Sequence, residues 1–508
     1  MDIFSNLALG FGEVLSLQTL FYCFVGVTVG MLIGVLPGIG AMAAISMLLP
    51  ITFYLEPSQA LIMLAGIYYG AQYGNSIASI LLNTPGTPSG AITCLDGYPL
   101  AQQGRAGAAL FMTTFSSFAG SCFAIVCLAA FTPVIADFAL GFGSAEYFAL
   151  MVFGLVLAST VAPGSQIKGL VMVVIGLVLG LVGTDITSGT FRFTFGLLNL
   201  GDGLNLVAVA MGVFGAAEVI NNLSRSSSDR GAARAVALRE LIPLKSDLKQ
   251  MIKPMLRAAP IGTFLGVLPG AGATIASFVA YGVETRVAKD RSRFGKGAIE
   301  GITAPETANN AAAQGGFIPT LALGIPGDAV MALMLGALLI HGVNPGPQLI
   351  GEHPEIFWGL LASFWVGNLM LLVMNIPLIG IWVKILAIPY KYLFPGILML
   401  ICVGVYSVNN NPFDLLVVFV FSVIGYLMVL ARLSPAPMML GIVLGPMMEE
   451  NFRRAMLLSR GDATVFLEKP VCAALLGLTL LVLVWPLIPM LMRRMRRPKR
   501  RLRAKTLK

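Results

Sequence analysis

The amino-acid sequence predicts an all-α polytopic membrane protein with about 12 transmembrane segments, in two related and inverted repeats with broken or re-entrant helices. Three observations lead to this prediction. The chain carries very little charge for its length, one glycine- and proline-rich motif occurs twice, and four Pro-Gly pairs interrupt apolar segments.

The composition favours a lipid environment. Of 508 residues, 57% are hydrophobic and only 11% are charged, whereas soluble proteins carry about 25% charged residues. So little charge does not cover the surface of a soluble protein of this size, whereas lipid covers apolar surface. A spanning helix needs about 20 apolar residues, so the chain accommodates on the order of a dozen of them.

Lysine and arginine are concentrated in three stretches. Residues 221–257 carry 8 of the 33, residues 284–297 carry 5, and residues 493–508 carry 10. Such loops stay in the cytoplasm by the positive-inside rule. We therefore predict a first transmembrane repeat (1–220), a basic cytoplasmic linker (221–257), a second transmembrane repeat (258–492) and a basic cytoplasmic tail (493–508). The tail follows an apolar run, which favours contact with anionic lipid over nucleic acid.

The two halves share motifs in the same order. The run GVLPGIGA at residues 34–41 returns as GVLPGAGA at residues 266–273, an offset of 232 (266 − 34). The run NTPG at residues 83–86 has a looser partner in GIPG at residues 324–327, an offset of 241 (324 − 83). Internal repeats of this size are typical of secondary transporters.

The charges around the repeated motifs predict that the halves have opposite orientations. The loop after the first LPG motif has Glu56 and no basic residue, whereas the loop after the second has five basic residues. Opposite bias at corresponding loops indicates opposite orientation in the membrane. Only one apolar segment separates the basic residues 221–257 from the basic residues 284–297, and a single span would place these two stretches on opposite sides of the membrane. Both stretches are predicted to be cytoplasmic. We explain this with the hypothesis of a re-entrant hairpin whose tip is residues 268–270.

Four helix breaks are the first candidates for a binding site. Proline removes a backbone hydrogen bond and glycine permits unusual backbone angles, so each pair interrupts a helix. Inside lipid, the freed backbone groups must face protein, water or a ligand. Simple kinking of membrane helices is the alternative for any single break. The pairs are Pro37-Gly38, Pro85-Gly86, Pro269-Gly270 and Pro326-Gly327.

Small polar residues surround these breaks and complete the candidate site. Half-helix N-termini, hydroxyls and amides hold an anion without buried arginine. The first half contributes Asn75, Ser76, Asn83, Thr84 and Thr87, and the second contributes Asn309 and Asn310. Glu306 and Asp328 are the predicted ion-coupling residues. Hydrogen bonding between helices is the alternative role for each polar residue. The sequence predicts no metal centre beyond a possible sodium ion, and no cofactor.

Several of these runs resemble one known family. They are GVLPGIGA (34–41), YYGAQYGNS (68–76), NTPGTP (83–88), GTD (183–185) with FRFTFG (191–196), and GIPG (324–327). Together they closely resemble the large membrane subunit of tripartite tricarboxylate transporters, the TctA family. The resemblance covers nearly the whole chain except the termini and residues 225–253.

The resemblance implies a multi-pass protein of the bacterial inner membrane that works with two partners. One is a small four-helix membrane subunit and the other is a periplasmic solute-binding protein. It implies uptake of citrate or another di- or tricarboxylate, driven by a sodium ion or proton gradient.

Three other functions stay open at this point. A membrane enzyme acting on a lipid-linked substrate needs a catalytic cluster such as paired aspartates, and no DxxD pair lies in or beside the apolar segments. A scaffold subunit does not need the helix breaks. A channel differs from a transporter by unsaturated, voltage-driven flux.

Overall fold

The computed structural model describes residues 3–36, 40–161, 165–185, 187–224, 241–270, 272–386 and 390–484. Pro37, Gly38, residues 225–240 of the predicted linker and the predicted tail lie outside these ranges.

The described chain is almost entirely helical. The helices before residue 225 are α1 (Ile3–Val14), α2 (Leu17–Val35), α3 (Gly40–Thr52), α4 (Pro57–Leu82), α5 (Thr93–Leu100), α6 (Ala106–Ala139), α7 (Ser144–Val161), α8 (Gln166–Gly180), α9 (Leu206–Ala210) and α10 (Ala217–Ser224). Short 3-10 helices form at Pro88–Ala91, Leu198–Leu200 and Arg291–Arg293, and π-helical turns form at Ala101–Arg105 and Met211–Ala216. One small antiparallel pair, β1 (Gly183–Thr184) and β2 (Phe191–Arg192), lies between α8 and α9.

Thirteen further helices follow in the described part of the chain. They are α11 (Lys245–Val267), α12 (Gly272–Val287), α13 (Ile299–Gly315), α14 (Phe317–Leu323), α15 (Ala329–Ile340), α16 (Leu349–Glu352), α17 (Pro354–Asn375), α18 (Ile379–Leu386), α19 (Tyr390–Asn409), α20 (Pro412–Leu430), α21 (Pro435–Leu458), α22 (Val465–Glu468) and α23 (Pro470–Val484). Residues 245–257 of the predicted linker therefore belong to α11.

Glycines bring α2 and α4 into backbone contact. A Cβ atom added at Gly26, Gly30 or Gly34 would collide with the backbone of Met63, Ile67 or Ala71 respectively. Small residues spaced by four allow this close approach between membrane helices. The residue numbers of the contacting positions increase in the same direction on both helices, so α2 and α4 run parallel. The intervening α3 must therefore run back, so α2 and α3 form a hairpin, and residues 37–39 between them lie outside the described residues.

A second hairpin has the same construction. Gly262 and Gly266 of α11 touch the backbones of Ala308 and Ala312 of α13, so these two helices are also parallel. Because α12 returns between them, α11 and α12 form a hairpin around residues 268–271. Arg257 of α11 donates two hydrogen bonds, of 2.7 and 2.6 Å, to the buried carboxylate of Glu284 near the end of α12. A helical hairpin is therefore present at this place, while its re-entrant position in the membrane stays a prediction.

The two parallel pairs lie in opposite directions relative to each other. The Tyr68 ring, in the first half of α4, lies 6.5 Å from the ring of Phe317, just beyond the end of α13. Asp96, which follows α4, instead binds the backbone N–H groups at the start of α13. The chain direction of α4 is therefore opposite to that of α13.

A charge network fastens the β-hairpin to α21. Arg192 pairs with Glu449 at 3.0 Å and with Asp185 at 3.3 Å, and Arg453 pairs with Asp185 at 3.2 Å and with Glu449 at 2.6 Å. These four side chains therefore pair with one another across the contact between the β-hairpin and α21.

The described residues contain four helices long and apolar enough to cross a membrane. They are Leu17–Val35, Thr93–Ala139, Pro354–Asn375 and Pro412–Leu430. Seven shorter apolar helices of 10–17 residues accompany them. These helices are those of a multi-pass membrane protein, as predicted, while the count of about 12 spans and the inverted repeat stay predictions.

Candidate functional site

The first described break, Pro85-Gly86, follows the end of α4 and packs against the C-terminal end of α2. Asn83 takes the left-handed conformation (φ 54°) that terminates the helix, and its side chain is exposed. Gly86 is buried against the carbonyl oxygen of Gly34, so no side chain fits there. The polar turn after α4 is therefore held at the tip of the first hairpin.

A buried amide organises this turn. Asn75 accepts a 2.8 Å hydrogen bond at Oδ1 from the Thr87 N–H. The hydroxyls of Thr87 and Ser89 lie 2.8 Å apart, and Ser89 donates to Oε1 of Gln72 at 3.0 Å. Because Asn75 and Gln72 face one side of α4, the helix surface fixes the position of the loop that follows it.

Two donors at the first break have no partner among the described residues. They are the Nδ2 amide group of Asn75 and the hydroxyl of Thr84, and both atoms are buried. The Thr87 N–H needs an acceptor, which assigns the amide oxygen of Asn75 to that bond and leaves its NH₂ group for another acceptor. Buried donors without partners are costly unless a ligand or water accepts from them.

The second pair of breaks meets directly. The Gly270 N–H donates a 2.6 Å hydrogen bond to the carbonyl oxygen of Gly327. A Cβ atom at Gly327 would lie 2.9 Å from the Gly266 carbonyl oxygen, which repeats the approach of Gly86 to Gly34. Pro269-Gly270 and Pro326-Gly327 therefore form one junction, and Ala158 of α7 packs on it at Gly270.

Asp328 begins α15 at this junction. Its Oδ1 atom accepts from the Met331 N–H at 2.9 Å, as a helix N-cap, and its Oδ2 atom accepts from the Tyr68 hydroxyl at 2.7 Å. Tyr68 lies on α4, so this hydrogen bond links the two halves. The half-buried carboxylate of Asp328 also lies 3.4 Å from the position of a Cβ atom at Gly272.

Glu306 is a fully buried carboxylate on α13. It accepts from the Thr93 hydroxyl of α5 at 2.6 Å and from the Ser117 hydroxyl of α6 at 3.5 Å. Asn310 donates to Ser117 at 2.8 Å and thereby extends the chain of hydrogen bonds. No lysine or arginine pairs with Glu306 in the part of the chain that the structure describes.

Further along α13, two buried amides have no hydrogen-bond partner within the described ranges. Asn309 is 1% exposed and Gln314 is fully buried, and all four of their amide atoms are free. Helices α4 and α13 pack against each other. Free amide donors therefore occur on two contacting helices, one from each half of the chain.

The predicted residues do not all share one environment. Asn75, Thr84, Pro85, Gly86 and Thr87 gather at the first break, and Pro269, Gly270, Pro326, Gly327 and Asp328 gather at the second. Glu306 and Asn310 face α5 and α6, whereas Asn309 has no hydrogen-bond partner among the residues that the structure describes. Asn83 is exposed, and the hydroxyl of Ser76 donates to the Tyr73 carbonyl oxygen within its own helix. Pro37 and Gly38 lie outside the described residues.

The predicted set of site residues omits several of the contacts that define the geometry. Tyr68, Thr93 and Ser117 were not predicted as site residues, although Tyr68 stands in the quoted run at residues 68–76. Their uncharged side chains resemble ordinary helix contacts until a fold gives them partners. The described residues hold no group of three or more histidine, cysteine or acidic side chains arranged for a metal ion.

Comparison with known proteins finds one matching family model and two similar proteins. A family model described as "Tripartite tricarboxylate transporter TctA family" matches residues 20–440. An uncharacterized 52.8 kDa protein in the TAR-I ttuC' 3' region of Agrobacterium vitis is 50% identical over 492 residues, which cover 96% of this chain and 97% of the relative. An uncharacterized protein in the TAR-II ttuC' 3' region of the same organism is 53% identical over 228 residues, which cover 45% of this chain and 94% of the relative. No solved structure gives a significant match.

Proposed function

Because this chain belongs to the tripartite tricarboxylate transporter TctA family, we propose that it is the large permease subunit of a binding-protein-dependent, ion-coupled carboxylate uptake system. The family is a transporter family, so the chain is not an enzyme. The transported substrate is a di- or tricarboxylate such as citrate. The observation that carries this proposal is the set of buried, unpartnered amide and hydroxyl donors beside the paired helix breaks.

The donors suit carboxylate groups. Asn75 and Thr84 at the first break, with Asn309 and Gln314 on α13, offer N–H and O–H groups without a fixed positive charge. Residues 57–95 contain no charged side chain at all. Neutral donors bind an anion and still release it, since no buried ion pair has to be broken.

The two breaks differ in the charge that they accept. The backbone N–H groups at the start of α15 face the carboxylate of Asp328, which already supplies the negative charge that a helix N-terminus attracts. The corresponding position at the first break is Thr87, which is 241 residues earlier (328 − 87) and neutral. We place the substrate carboxylates at the first break for this reason.

Glu306 and Asp328 are the proposed sites for the coupling ion. Glu306 combines a buried carboxylate with the hydroxyls of Thr93 and Ser117, and such oxygen atoms suit a proton or a sodium ion. Asp328 places its carboxylate directly after the second break, where backbone carbonyl groups lie nearby. No bound metal or cofactor beyond the coupling ion is part of the proposal.

We further propose that the halves are inverted repeats that work by alternating access. The Gly34–Gly86 and Gly266–Gly327 approaches are related by the motif offsets of 232 and 241, and α4 runs opposite to α13. By the positive-inside rule, the end that carries residues 284–297 is cytoplasmic. Helix α11 then begins at this face and α12 ends at it. The second hairpin therefore enters and leaves the membrane on the same side, which is what re-entrant means.

The tripartite family implies other subunits. We propose a small four-helix membrane subunit and a periplasmic solute-binding protein as the partners, in the bacterial inner membrane. The exposed apolar residues along α11 and α20 are the surface that lipid or the small subunit covers.

Uptake of labelled carboxylates tests this function. The chain is expressed with its two partner subunits in cells that lack other carboxylate transporters, with and without sodium and a proton uncoupler. We expect saturable uptake that needs the binding protein and one of the two gradients. A complex that is assembled in the membrane but takes up no carboxylate would contradict the proposed substrate class.

A further inference from the structure

Asp96 joins the two halves by four hydrogen bonds. Its Oδ1 atom accepts from the backbone N–H groups of Lys296, Gly297 and Ala298, at 3.1, 2.9 and 2.8 Å. Its Oδ2 atom accepts from the Tyr281 hydroxyl at 3.0 Å. Asp96 is fully buried, and a Cβ atom at Gly301 would collide with its Oδ2 atom. We call this contact the Asp96 clamp.

The Asp96 clamp connects the two segments that carry the proposed site. Asp96 lies on α5, directly after the first break and three residues after Thr93. Its backbone partners, residues 296–298, directly precede α13, which carries Glu306 and Asn309, and its partner Tyr281 lies on α12. A relative movement of α5 and α13 therefore requires this clamp to open.

The hydrogen bond between Tyr68 and Asp328 is a second link between the halves. It has one hydroxyl donor and lies between the first half of α4 and the start of α15. We call it the Tyr68 latch. Tyr68 is 2% exposed, and its ring also faces Phe317.

The Asp96 clamp and the Tyr68 latch lie on opposite sides of the unpartnered donors of the proposed site, which are those of Asn75, Thr84, Asn309 and Gln314. Along α4, Tyr68 precedes Asn75 by seven residues, which is about 10 Å of helix, whereas Asp96 follows the end of the helix and the first break. Along α13, the Asp96 clamp is at the N-terminal end and Phe317 lies beyond the C-terminal end, with Asn309 and Gln314 between them.

We propose that the Asp96 clamp and the Tyr68 latch are the two gates of the transporter. The Asp96 clamp blocks access to the donors from the face that carries residues 284–297, and the Tyr68 latch blocks access to them from the opposite face. Both contacts are formed in this structure, which is therefore an occluded state. This inference rests on the proposed alternating access, and it makes Asp96, Tyr281 and Tyr68 positioning residues.

Sided thiol labelling tests the gates without any need for transport. Thr84→Cys is introduced as a reporter into protein whose six native cysteines are replaced, and a membrane-impermeant maleimide is added to right-side-out or inverted vesicles. We expect Tyr281→Phe to raise labelling from the face of residues 284–297 by about tenfold, since a hydrogen bond to a charged group is lost. Tyr68→Phe raises labelling from the opposite face. Asp96→Asn acts like Tyr281→Phe but more strongly, if it folds.

The direction of the change separates a gate from a structural contact. A contact that only stabilises the fold would raise labelling from both faces or from neither, and either result overturns the proposal. Glu450→Gln is the matched control, because it neutralises an exposed carboxylate paired with Arg454 on α21, a helix that contributes to neither gate, and it leaves labelling unchanged. Opposite shifts without carboxylate uptake keep the gates and overturn the proposed substrate. Normal uptake with unshifted labelling keeps the function and overturns the gates.

Discussion

The side chain of Asn75 accepts a hydrogen bond of 2.8 Å from the backbone N–H of Thr87, twelve residues further along the chain. This bond closes the turn at the first helix break, and the amide NH₂ group of Asn75, which lies beside Gly90, has no partner among the described residues. One side chain therefore both shapes the break and supplies a free donor.

Replacing Asn75 with aspartate separates these two roles. Asn75→Asp keeps an oxygen for the Thr87 N–H but exchanges the donor for a negative charge, so we expect the protein to fold while carboxylate affinity falls by at least about tenfold. Equilibrium binding to the purified complex measures the affinity. Ser76→Ala is the control, because that hydroxyl bonds only within its own helix. Unchanged affinity in Asn75→Asp would remove this residue from the site.

Glu306→Gln tests the coupling ion. The amide keeps an acceptor for Thr93 but not the charge, so we expect uphill accumulation to be lost while exchange of labelled for unlabelled carboxylate continues. The thermal midpoint stays the same or rises, since a buried carboxylate without a cationic partner is removed. Glu300→Gln, on the first turn of the same helix and paired with Arg293, is the control. Gradient-driven accumulation at the normal level in Glu306→Gln contradicts a coupling role.

Asp328→Asn tests the other candidate carboxylate. Asparagine is a good helix N-cap, so α15 and the fold are retained. We expect the dependence of uptake on the cation to weaken, which initial rates across a series of sodium concentrations and pH values measure. Normal coupling in this variant would leave Asp328 as a helix cap and a partner of Tyr68, and would assign coupling to Glu306.

Gly86→Ala tests the backbone approach at the first break. The added methyl group collides with the Gly34 carbonyl oxygen, and we expect a loss of about 1–3 kcal/mol in the free energy of unfolding. Gly282→Ala on α12 meets no atom within 4 Å and is expected to be neutral or to stabilise its helix by about 0.5–1 kcal/mol. Thermal unfolding of both variants in detergent makes the comparison. Equal stability of the two would show that the break relaxes freely.

The charge network at the β-hairpin predicts a dependence on pH. The Thr187 N–H, with help from Ser188, Arg192 and Arg453, lowers the pKa of Asp185 from 3.8 to about 2. A lowered folded-state pKa stabilises the loop above pH 3.8, and this contribution is lost as the pH falls towards 2. Hydrogen-exchange protection of residues 181–205, normalised to intrinsic rates, measures it.

The matched variants for this loop are Asp185→Asn and Asp202→Asn. We expect Asp185→Asn to lower protection at neutral pH and to remove its decline in acid. Asp202 is exposed in the same loop, so we expect Asp202→Asn to show the same dependence of hydrogen-exchange protection on pH as the parent protein. A decline that persists in Asp185→Asn would assign the titration to another carboxylate.

The sequence by itself determined the membrane class, the family and the residues around the helix breaks. These follow from composition and from short runs such as residues 34–41 and 83–86, because proline and glycine inside apolar sequence have local consequences that do not depend on distant partners. The charge pattern also indicated a hairpin with residues 268–270 at its tip, since basic residues mark both of its open ends.

Only the tertiary structure decided which polar groups are satisfied. Asn75, Ser76 and Asn83 are similar small polar residues in the sequence, yet one shapes the break, one bonds within its helix and one faces outward. The Tyr281 hydroxyl that Asp96 binds is 185 residues away in the chain, and the Tyr68 hydroxyl that Asp328 binds is 260 residues away. Hydrogen bonds over such separations depend on how the helices pack, and the local sequence does not encode that packing. The gates and the free donors therefore appear only once α4 lies against α13.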